Sequence, residues 1–419
     1  MIPIARRIWK ALPVPARVRE IVSPLAFKAL DAIRRPALPP RPALEAIAPG
    51  HLIVSGMLDE VLGLSRAARL TAEALDAAGL APVRHDLRRL QIAATRETPL
   101  PAPGPGGVWL MHCNAPEASV ALHLVAPADW SRRYMIGYWA WELGELPRDW
   151  RPVAKRFHEI WAPSQFVADA IAPYADHVRV MPHPLPDISA AKRDRARFGF
   201  PQDTFVVCAL ADGRSTFARK NPLGAALAYR RAFPEPDGST RLMLKLVHPN
   251  ADPDGMRALA GAIEGRDDIS ILEQDLTDAE MLSFLASADA LVSLHRSEGF
   301  GLAIAEMLAL GRPAVATDWS GNVDFMQGVH AQTLVRCAMV PVSDPTGRYR
   351  GGVWAEPDLD HAAELLRRVV RDPALRHAYA DAAPTIAEQL NAPWARANLE
   401  QLPFAAKLFR KDADAAVVD

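Results

Sequence analysis

The chain has 419 residues, of which half are apolar and 23% are charged, and its formal net charge is −1. That length is enough for two domains, each with its own core, so a small disulfide-stapled protein is excluded. The composition is that of an ordinary globular protein, and the near-zero charge gives no indication of a nucleic-acid partner.

Residues 1–49 differ in composition from the rest of the chain. They contain nine of the 37 prolines and carry nine Arg or Lys against three acidic residues, a net charge of +6. Ser23 and Pro24 form a plausible N-cap and first helical position, and apolar residues follow at helical spacing over 25–33. A short basic amphipathic helix of this kind can lie on an anionic membrane surface through residues 1–35, or it can dock on the protein body.

From residue 50 onward, short apolar stretches alternate with helical ones, which is the pattern of parallel α/β sheets. The first series predicts a helix at 65–78 and strands at 51–55, 83–86, 107–112, 134–139, 158–161 and 178–181. Residues 181–186 interrupt it, because three prolines in six residues cannot continue a helix or a central strand.

A second α/β series follows this proline-rich linker. It predicts strands at 204–211, 241–247, 269–272, 289–294, 313–317 and 332–335, and helices at 221–232, 253–264, 277–286, 302–310 and 359–371. We expect one Rossmann-like domain at 50–183 and another at 184–383, with a helix at 384–410 that crosses back to complete the first. Ligands bind beyond the carboxyl ends of such strands, so the cleft between the domains is the expected site.

The remaining global features indicate a cytoplasmic protein. Three widely spaced cysteines, Cys113, Cys208 and Cys337, predict buried thiols in a reducing compartment rather than a disulfide framework or a metal cluster. No window has the roughly 18 uninterrupted apolar residues of a membrane-spanning helix. The basic N-terminus also lacks the apolar region of a signal peptide.

The stretch at 293–318 is the most informative about chemistry. It reads as a buried strand, a loop with two glycines, an Ala- and Leu-rich helix and a second buried strand. Glycines let the backbone approach a ligand closely, and the free N–H groups of a helix start favour an anion, so the pattern predicts a phosphate site. Glu298 lies beside that site, and Glu306 lies about two turns along the helix, within reach of a ribose diol.

This segment resembles the signature of retaining nucleotide-sugar glycosyltransferases of the GT-B fold, family 4, in which two glutamates are separated by seven residues. The resemblance extends over about 50–372. It includes GYWAWEL at 137–143, EIWAPS at 159–164 and WAEPD at 354–358, which are similar to the bacterial cell-surface polysaccharide branch. It implies an α/β GT-B fold, with two Rossmann-like doubly wound domains that face each other across a cleft.

The resemblance also implies a set of donor-binding residues. The catalytic Glu298 lies against the donor sugar and Glu306 binds the ribose, while the diphosphate and sugar are surrounded by the amides of Gly299, Phe300, Gly301 and Leu302. In the loop DGRSTFARKNP at 212–222, Lys220 matches the family lysine that neutralises the diphosphate. Ser215 stands where the family has an arginine, and the sequence does not decide whether Arg214 or Arg219 substitutes for it.

On the side of the first domain, the resemblance implies a second catalytic residue and an acceptor surface. His112 ends a predicted strand at a position where the family often has a histidine near the reaction centre. His183, in the linker, stands where the family commonly has an asparagine. Gly63, Trp141 and Glu142 are expected to face the acceptor, although the loop before Gly63 lacks the usual pair of adjacent glycines. Two further tryptophans, Trp139 and Trp161, either stack on sugar rings or belong to the core.

The implied activity is transfer of a hexose from a nucleoside diphosphate sugar to a saccharide or lipid-linked saccharide acceptor, in polysaccharide or lipopolysaccharide synthesis. No cofactor is expected besides this co-substrate. No metal is expected either, because no Asp-x-Asp motif follows a strand in the body of the chain. Two alternatives remain open: an epimerase or hydrolase of nucleotide sugars on the same fold, and a non-catalytic saccharide-binding partner.

Overall fold

The computed structural model describes residues 40–60, 63–87, 100–101, 104–344, 347, 349 and 351–409. The amphipathic helix and the membrane contact predicted within residues 1–35 lie outside the described residues and stay predictions. Within the described ranges, no helix combines the length and the apolar character needed to cross a membrane.

The first half of the chain forms a six-stranded parallel sheet with the order β2-β1-β3-β4-β5-β6. Its strands are β1 Leu52–Gly56, β2 Val83–Asp86, β3 Val108–Met111, β4 Tyr134–Tyr138, β5 Glu159–Ala162 and β6 Val178–Val180. Its helices are α1 Gly63–Ala77, α2 Ala115–Leu124, α3 Pro127–Trp130, α4 Arg151–Ala154 and α5 Gln165–Ile171. The four central strands are buried along their whole length, which is why they read as nearly continuous apolar runs.

The second half forms another six-stranded parallel sheet, ordered β12-β11-β10-β7-β8-β9. Its strands are β7 Phe205–Asp212, β8 Thr240–Val247, β9 Ile269–Leu272, β10 Ala290–Ser293, β11 Ala314–Thr317 and β12 Leu334–Val335. Its helices are α6 Phe217–Lys220, α7 Pro222–Ala232, α8 Pro253–Ile263, α9 Asp278–Ser287, α10 Leu302–Ala309 and α11 Leu359–Arg371. The strand order reverses between β7 and β10, the switch point at which doubly wound sheets bind ligands.

The two doubly wound sheets confirm the expected fold class, and each of their twelve strands lies within two residues of its prediction. The domain boundaries set from the sequence stay predictions. Cys113 and Cys208 are buried, whereas Cys337 is only partly buried, so the expectation of a buried thiol is wrong there.

The C-terminal part of the chain corrects one prediction. Instead of one helix over 384–410, the structure has α12 Pro373–Asn391, a short 3-10 turn, α13 Arg396–Leu399 and a second 3-10 turn at Pro403–Lys407. Pro393 and Pro403 explain the breaks, because proline has no N–H for the helix ladder. Pro384, by contrast, is accommodated inside α12.

The segment after α12 packs on one face of the first sheet. Trp394, Leu399 and Phe404 share a buried cluster with residues of β1, β3 and β4. The Trp394 indole donates to Pro182 O at 2.8 Å, and its ring lies 5.8 Å from that of Trp161. The end of the chain is therefore part of the core around the first sheet.

An antiparallel hairpin, β13 Cys337–Pro341 with β14 Val353–Pro357, is an element that the sequence did not predict as strands. Although it follows the second sheet in the chain, its Tyr349 and Trp354 join the buried cluster around β3 and β4 of the first sheet. Arg296 holds it to the loop after β10 through two bonds to Glu356, at 2.6 and 2.9 Å. The hairpin therefore links the two halves of the molecule.

Two phenylalanines near the C-terminus test the docking of this segment. Phe404 is fully buried, whereas Phe409 is 51% exposed. We expect Phe404→Ala to lower the free energy of unfolding by about 3–5 kcal/mol and Phe409→Ala to lower it by about 0.5 kcal/mol or less. Denaturant unfolding measures both, and equal losses would contradict the docked position.

Candidate functional site

A cavity of about 700 Å³ lies between the two sheets, where the strands of each end. The sequence-predicted residues that line it are Gly63, Trp141, Glu142, Arg214, Arg219, Lys220, Glu298, Gly299, Phe300, Gly301 and Leu302. The structure thus brings together residues from both halves of the chain. Glu306 and His112 are not part of its lining.

The loop between β10 and α10 is held in place from both domains. Gly301 has φ +93°, a conformation that favours glycine, and it starts α10 without a side-chain cap. Ser164 of the first domain donates to Gly299 O at 2.6 Å, and the Glu298 N–H donates to Ser320 Oγ at 2.9 Å. An uncapped helix start directed at a cavity offers N–H groups to an anion.

Glu298 is surrounded by positive charge. Lys220 Nζ lies 2.5 Å and Arg219 Nη1 lies 3.3 Å from Glu298 Oε1. Burial alone would raise the pKa of Glu298, but Lys220, Arg219 and His295 outweigh it and lower this pKa to about 2. The carboxylate is therefore ionised at any physiological pH.

Arg219 connects Glu298 to the first domain. Its guanidinium is buried, donates to Ser297 O at 2.8 Å, and lies 3.5 Å from Glu142 Oε1. Burial opposes its charge, but Tyr349, Glu298 and Glu142 outweigh that effect and raise its pKa. Arg219 thus carries a permanent charge at the centre of the site.

The local sequence explains how Arg219 and Lys220 reach this position. The Thr216 side chain caps α6 by accepting from the Arg219 N–H at 3.1 Å. Asn221 adopts the left-handed conformation, caps α7 and donates to Leu294 O at 2.9 Å. This turn therefore fixes the basic pair against the loop that carries Glu298. Arg214 lies further out, with a side chain 40% exposed and 3.6 Å from Glu60.

Glu306 is completely buried and is paired with an arginine of the first domain. Arg66, on α1, places Nη1 2.8 Å from Glu306 Oε2 and Nη2 2.8 Å from Oε1. Burial raises the pKa of Glu306, and Arg66 opposes that effect. A neighbouring pair, Arg69 with Asp278, has contacts of 2.7 and 2.8 Å. Both pairs cross the cleft.

Sequence reasoning missed Arg66 and Arg69, because charged residues of an amphipathic helix are normally solvated. One signal was available for Arg66: it lies four residues before Leu70, on the face of α1 that the apolar spacing predicts to be buried.

His112 lies behind the cavity. It is 1% exposed, and neither ring nitrogen has a hydrogen-bond partner among the described residues. Burial lowers its pKa to about 3, so it is neutral. Its ring lies 4.2 Å from that of Tyr138 and 5.5 Å from that of His183. His183 does line the cavity, and its Nδ1 is 2.9 Å from Tyr138 Oη.

The acceptor-side residues form an aromatic wall with the hairpin. The Trp141 ring lies 4.8 Å from that of Trp150 and 5.4 Å from that of Tyr349, and all three residues line the cavity. Tyr349 Oη donates to Glu142 Oε2 at 3.2 Å. Trp139 and Trp161 are fully buried and belong to the core.

Over the described ranges, no group of three or more His, Cys, Asp or Glu is arranged to hold a metal ion. Metal independence of the reaction stays a prediction.

Comparison with known proteins gives both a fold and a family match. The fold is similar to HepE of Anabaena, solved in complex with UDP and glucose, with a TM-score of 0.59 and 14% identity over 84% of this chain and 98% of that one. It is also similar to sucrose-phosphate synthase of Thermosynechococcus elongatus, with a TM-score of 0.58 and 16% identity over 86% and 96% of the two chains. The chain has the GT-B fold.

Residues 244–347 match the family model described as glycosyl transferases group 1. A comparison with curated protein sequences finds no match. Together, the family match and the GT-B fold support a glycosyltransferase. The matched range contains both Glu298 and Glu306.

Arg219 and Arg214 lie in the same loop, but the first is buried and the second is exposed, so their variants form a matched pair. Removing Arg219 leaves Glu298 and Glu142 with less compensation inside the protein, so we expect Arg219→Met to lower the free energy of unfolding by about 3–5 kcal/mol. Arg214→Met removes a partly exposed charge and should change it by about 1 kcal/mol or less. Denaturant unfolding tests both, and a small loss for Arg219→Met would show that the buried network is not needed.

The pKa of Glu298 predicts a pH-dependent stability. Because this pKa is lowered from 4.5 to about 2, the carboxylate stabilises the fold fully above pH 4.5 and loses that contribution as the pH falls towards 2. We expect the stability difference between wild type and Glu298→Gln to be about 2 kcal/mol smaller at pH 3 than at pH 6. The control is the exposed Glu264→Gln. A difference that does not depend on pH would contradict the ionised state.

Proposed function

We propose that the protein is a retaining glycosyltransferase, similar to family 4, that moves a hexose from a nucleoside diphosphate sugar to a saccharide or lipid-linked saccharide acceptor. The observation that carries the proposal is the ionised Glu298, held by Lys220 and Arg219 beside the uncapped start of α10 in the cleft. This arrangement combines an anion site with a fixed negative charge next to it. The anion site suits the diphosphate of the donor, and the negative charge suits the positive charge that develops on the sugar.

The donor is bound by groups of the second domain. The backbone N–H groups at 299–302, with Lys220 and Arg219, neutralise the diphosphate, and Arg219 rather than Arg214 substitutes for the arginine missing at Ser215. In support, Arg219 reaches Glu298 whereas Arg214 lies towards the rim. Glu306 accepts hydrogen bonds from the ribose diol, which requires Arg66 to leave the carboxylate. No cofactor and no metal enter this proposal.

The reaction breaks the bond between the anomeric carbon and the diphosphate oxygen, and forms a bond from the acceptor oxygen to the same carbon on the same face. The departing phosphate takes the proton of the acceptor hydroxyl. Lys220, Arg219 and the helix-start amides stabilise the charge that develops on the leaving group. Glu298, with a pKa of about 2, is not a proton donor; it orients the sugar hydroxyls and stabilises positive charge at the anomeric carbon.

On the acceptor side, Trp141 and Tyr349 offer aromatic faces, and Glu142 with Gly63 completes the wall. His112 contributes by holding the His183 ring beside Phe300, at a centroid distance of 5.1 Å. Among proteins of similar fold, one is solved with UDP and glucose and another with fondaparinux and UDP. These support a saccharide acceptor, and we assign the enzyme to cell-surface polysaccharide or lipopolysaccharide synthesis in the cytoplasm.

Donor binding and turnover of matched glutamate variants test this function. We expect selective stabilisation of the protein by one of UDP-, GDP- or ADP-sugars in a thermal-shift assay, and NMR of the product should show the anomeric configuration of the donor. Glu306→Gln should weaken donor binding tenfold or more, about 1.4 kcal/mol or more, and Glu298→Gln should lower kcat by about 10²–10³.

The exposed Glu264→Gln serves as the control and should change neither quantity. Donor turnover at full rate without any acceptor would instead indicate an epimerase or hydrolase. Absence of nucleotide-sugar binding, or full activity of both site variants, would overturn the proposal.

A further inference from the structure

A buried lysine in the cavity has no role in the reaction described above. Lys245 lies on β8 between the fully buried Leu244 and Leu246, and it is itself only 1% exposed. Lys245 is one of the residues that line the cavity. The sequence signal was a single charge inside the otherwise apolar stretch LMLKLV at 242–247.

Lys245 differs from the other cations of the cleft. Lys220 and Arg219 pair with Glu298, and Arg66 pairs with Glu306. Among the described residues, Lys245 Nζ has one hydrogen-bond contact, 3.4 Å from Leu246 O, which is long for a hydrogen bond, and it forms no ion pair.

Burial of the Lys245 ammonium without an ion-pair partner costs stability. A buried ammonium without a partner is unfavourable, and methionine or leucine would fill the same space without that penalty. Burial lowers the pKa of Lys245, while Asp275 and Asp212 act from a distance in the opposite sense. A lysine at this position is explained by an acceptor that arrives with a ligand.

The position of Lys245 in the sheet indicates which part of a nucleotide it meets. The diphosphate site lies at the switch point between β7 and β10, whereas Lys245 lies on the other side of β7, paired with Leu210 of β7 and Leu272 of β9. One strand separation is about 5 Å, so its place is beside the diphosphate site rather than on it.

The cavity that Lys245 lines also has an apolar part to its wall. Val247, Leu276 and Met281 belong to its lining. This wall adjoins the ribose site, because Arg66, which holds Glu306, also lies 3.6 Å from Asp278 at the start of α9. Apolar wall residues and a buried hydrogen-bond donor near a ribose site fit a nucleobase.

We propose that Lys245 recognises the nucleobase of the donor by donating a hydrogen bond to a ring carbonyl oxygen, O4 of uracil or O6 of guanine. An ammonium has three donors and no acceptor, so it opposes the amino group that cytosine and adenine carry at the corresponding atom. The site therefore selects an oxo base over its amino counterpart. This inference rests on the proposed function, since it needs a nucleotide in the cleft.

The test compares the affinities of UDP, CDP, GDP and ADP for wild type and variants by calorimetry. Wild type should bind the oxo member of one pair, UDP over CDP or GDP over ADP, tenfold or more tightly. Lys245→Met should reduce that ratio to about 1 through loss of affinity for the oxo nucleotide. Lys245→Gln should also remove the preference, because an amide can both donate and accept.

Lys220→Met is the matched control, because all four nucleotides share the diphosphate. Loss of a lysine that binds the diphosphate should weaken the affinity for all four by a similar factor. The same uniform loss in Lys245→Met would overturn the proposal, and so would an unchanged ratio. Wild type that binds nucleotides without preference for the base would refute the role of Lys245 and leave the proposed function standing. Wild type that binds none of them would refute both. Thermal unfolding of each variant confirms that it is folded.

Discussion

The pairing of buried carboxylates with cations constrains the whole cleft. Glu298 and Glu306 are removed from water, and a buried charge is costly unless a partner compensates it. Lys220 and Arg219 do this for the first, and Arg66 does it for the second. Two of these cations also bridge the domains, since Arg66 belongs to the first and Arg219 extends to Glu142. The charged groups of the cleft thus also fix how the two domains meet.

This constraint explains features that look unrelated along the chain. The turn at 216–221, with two residues at positive φ, is needed to direct neighbouring basic side chains into the cleft. The hairpin of β13 and β14 places Tyr349 over Arg219, with the guanidinium 5.9 Å from the ring centroid, and so excludes water from it. Both elements shape the environment of Arg219, which together with Lys220 keeps Glu298 ionised.

Much of the fold was predictable, because buried parallel strands leave continuous apolar runs and their helices leave a helical period. The loop from Glu298 to Leu302 was predictable because its glycines, helix start and carboxylates are adjacent in sequence. Arg66 and Tyr349 were not, since their partners Glu306 and Glu142 lie 240 and 207 residues away. The helix expected at 384–410 failed for a local reason, the two prolines that interrupt it.

The pair between Arg66 and Glu306 has a consequence for binding. If Glu306 accepts the ribose diol, the guanidinium must leave a carboxylate to which it donates at 2.8 Å, and neutral hydroxyls are weaker partners than an arginine. The exchange is favourable only if Arg66 finds another anion. Arg66 lines the same cavity as Lys220 and Arg219, the residues proposed to bind the diphosphate. A ligand that carries ribose and phosphate together can therefore replace both halves of the ion pair, whereas a nucleoside alone would leave the arginine unpaired. On the proposed role of Glu306, the contact with Arg66 favours complete nucleotides over their fragments and couples donor binding to the contact between the domains.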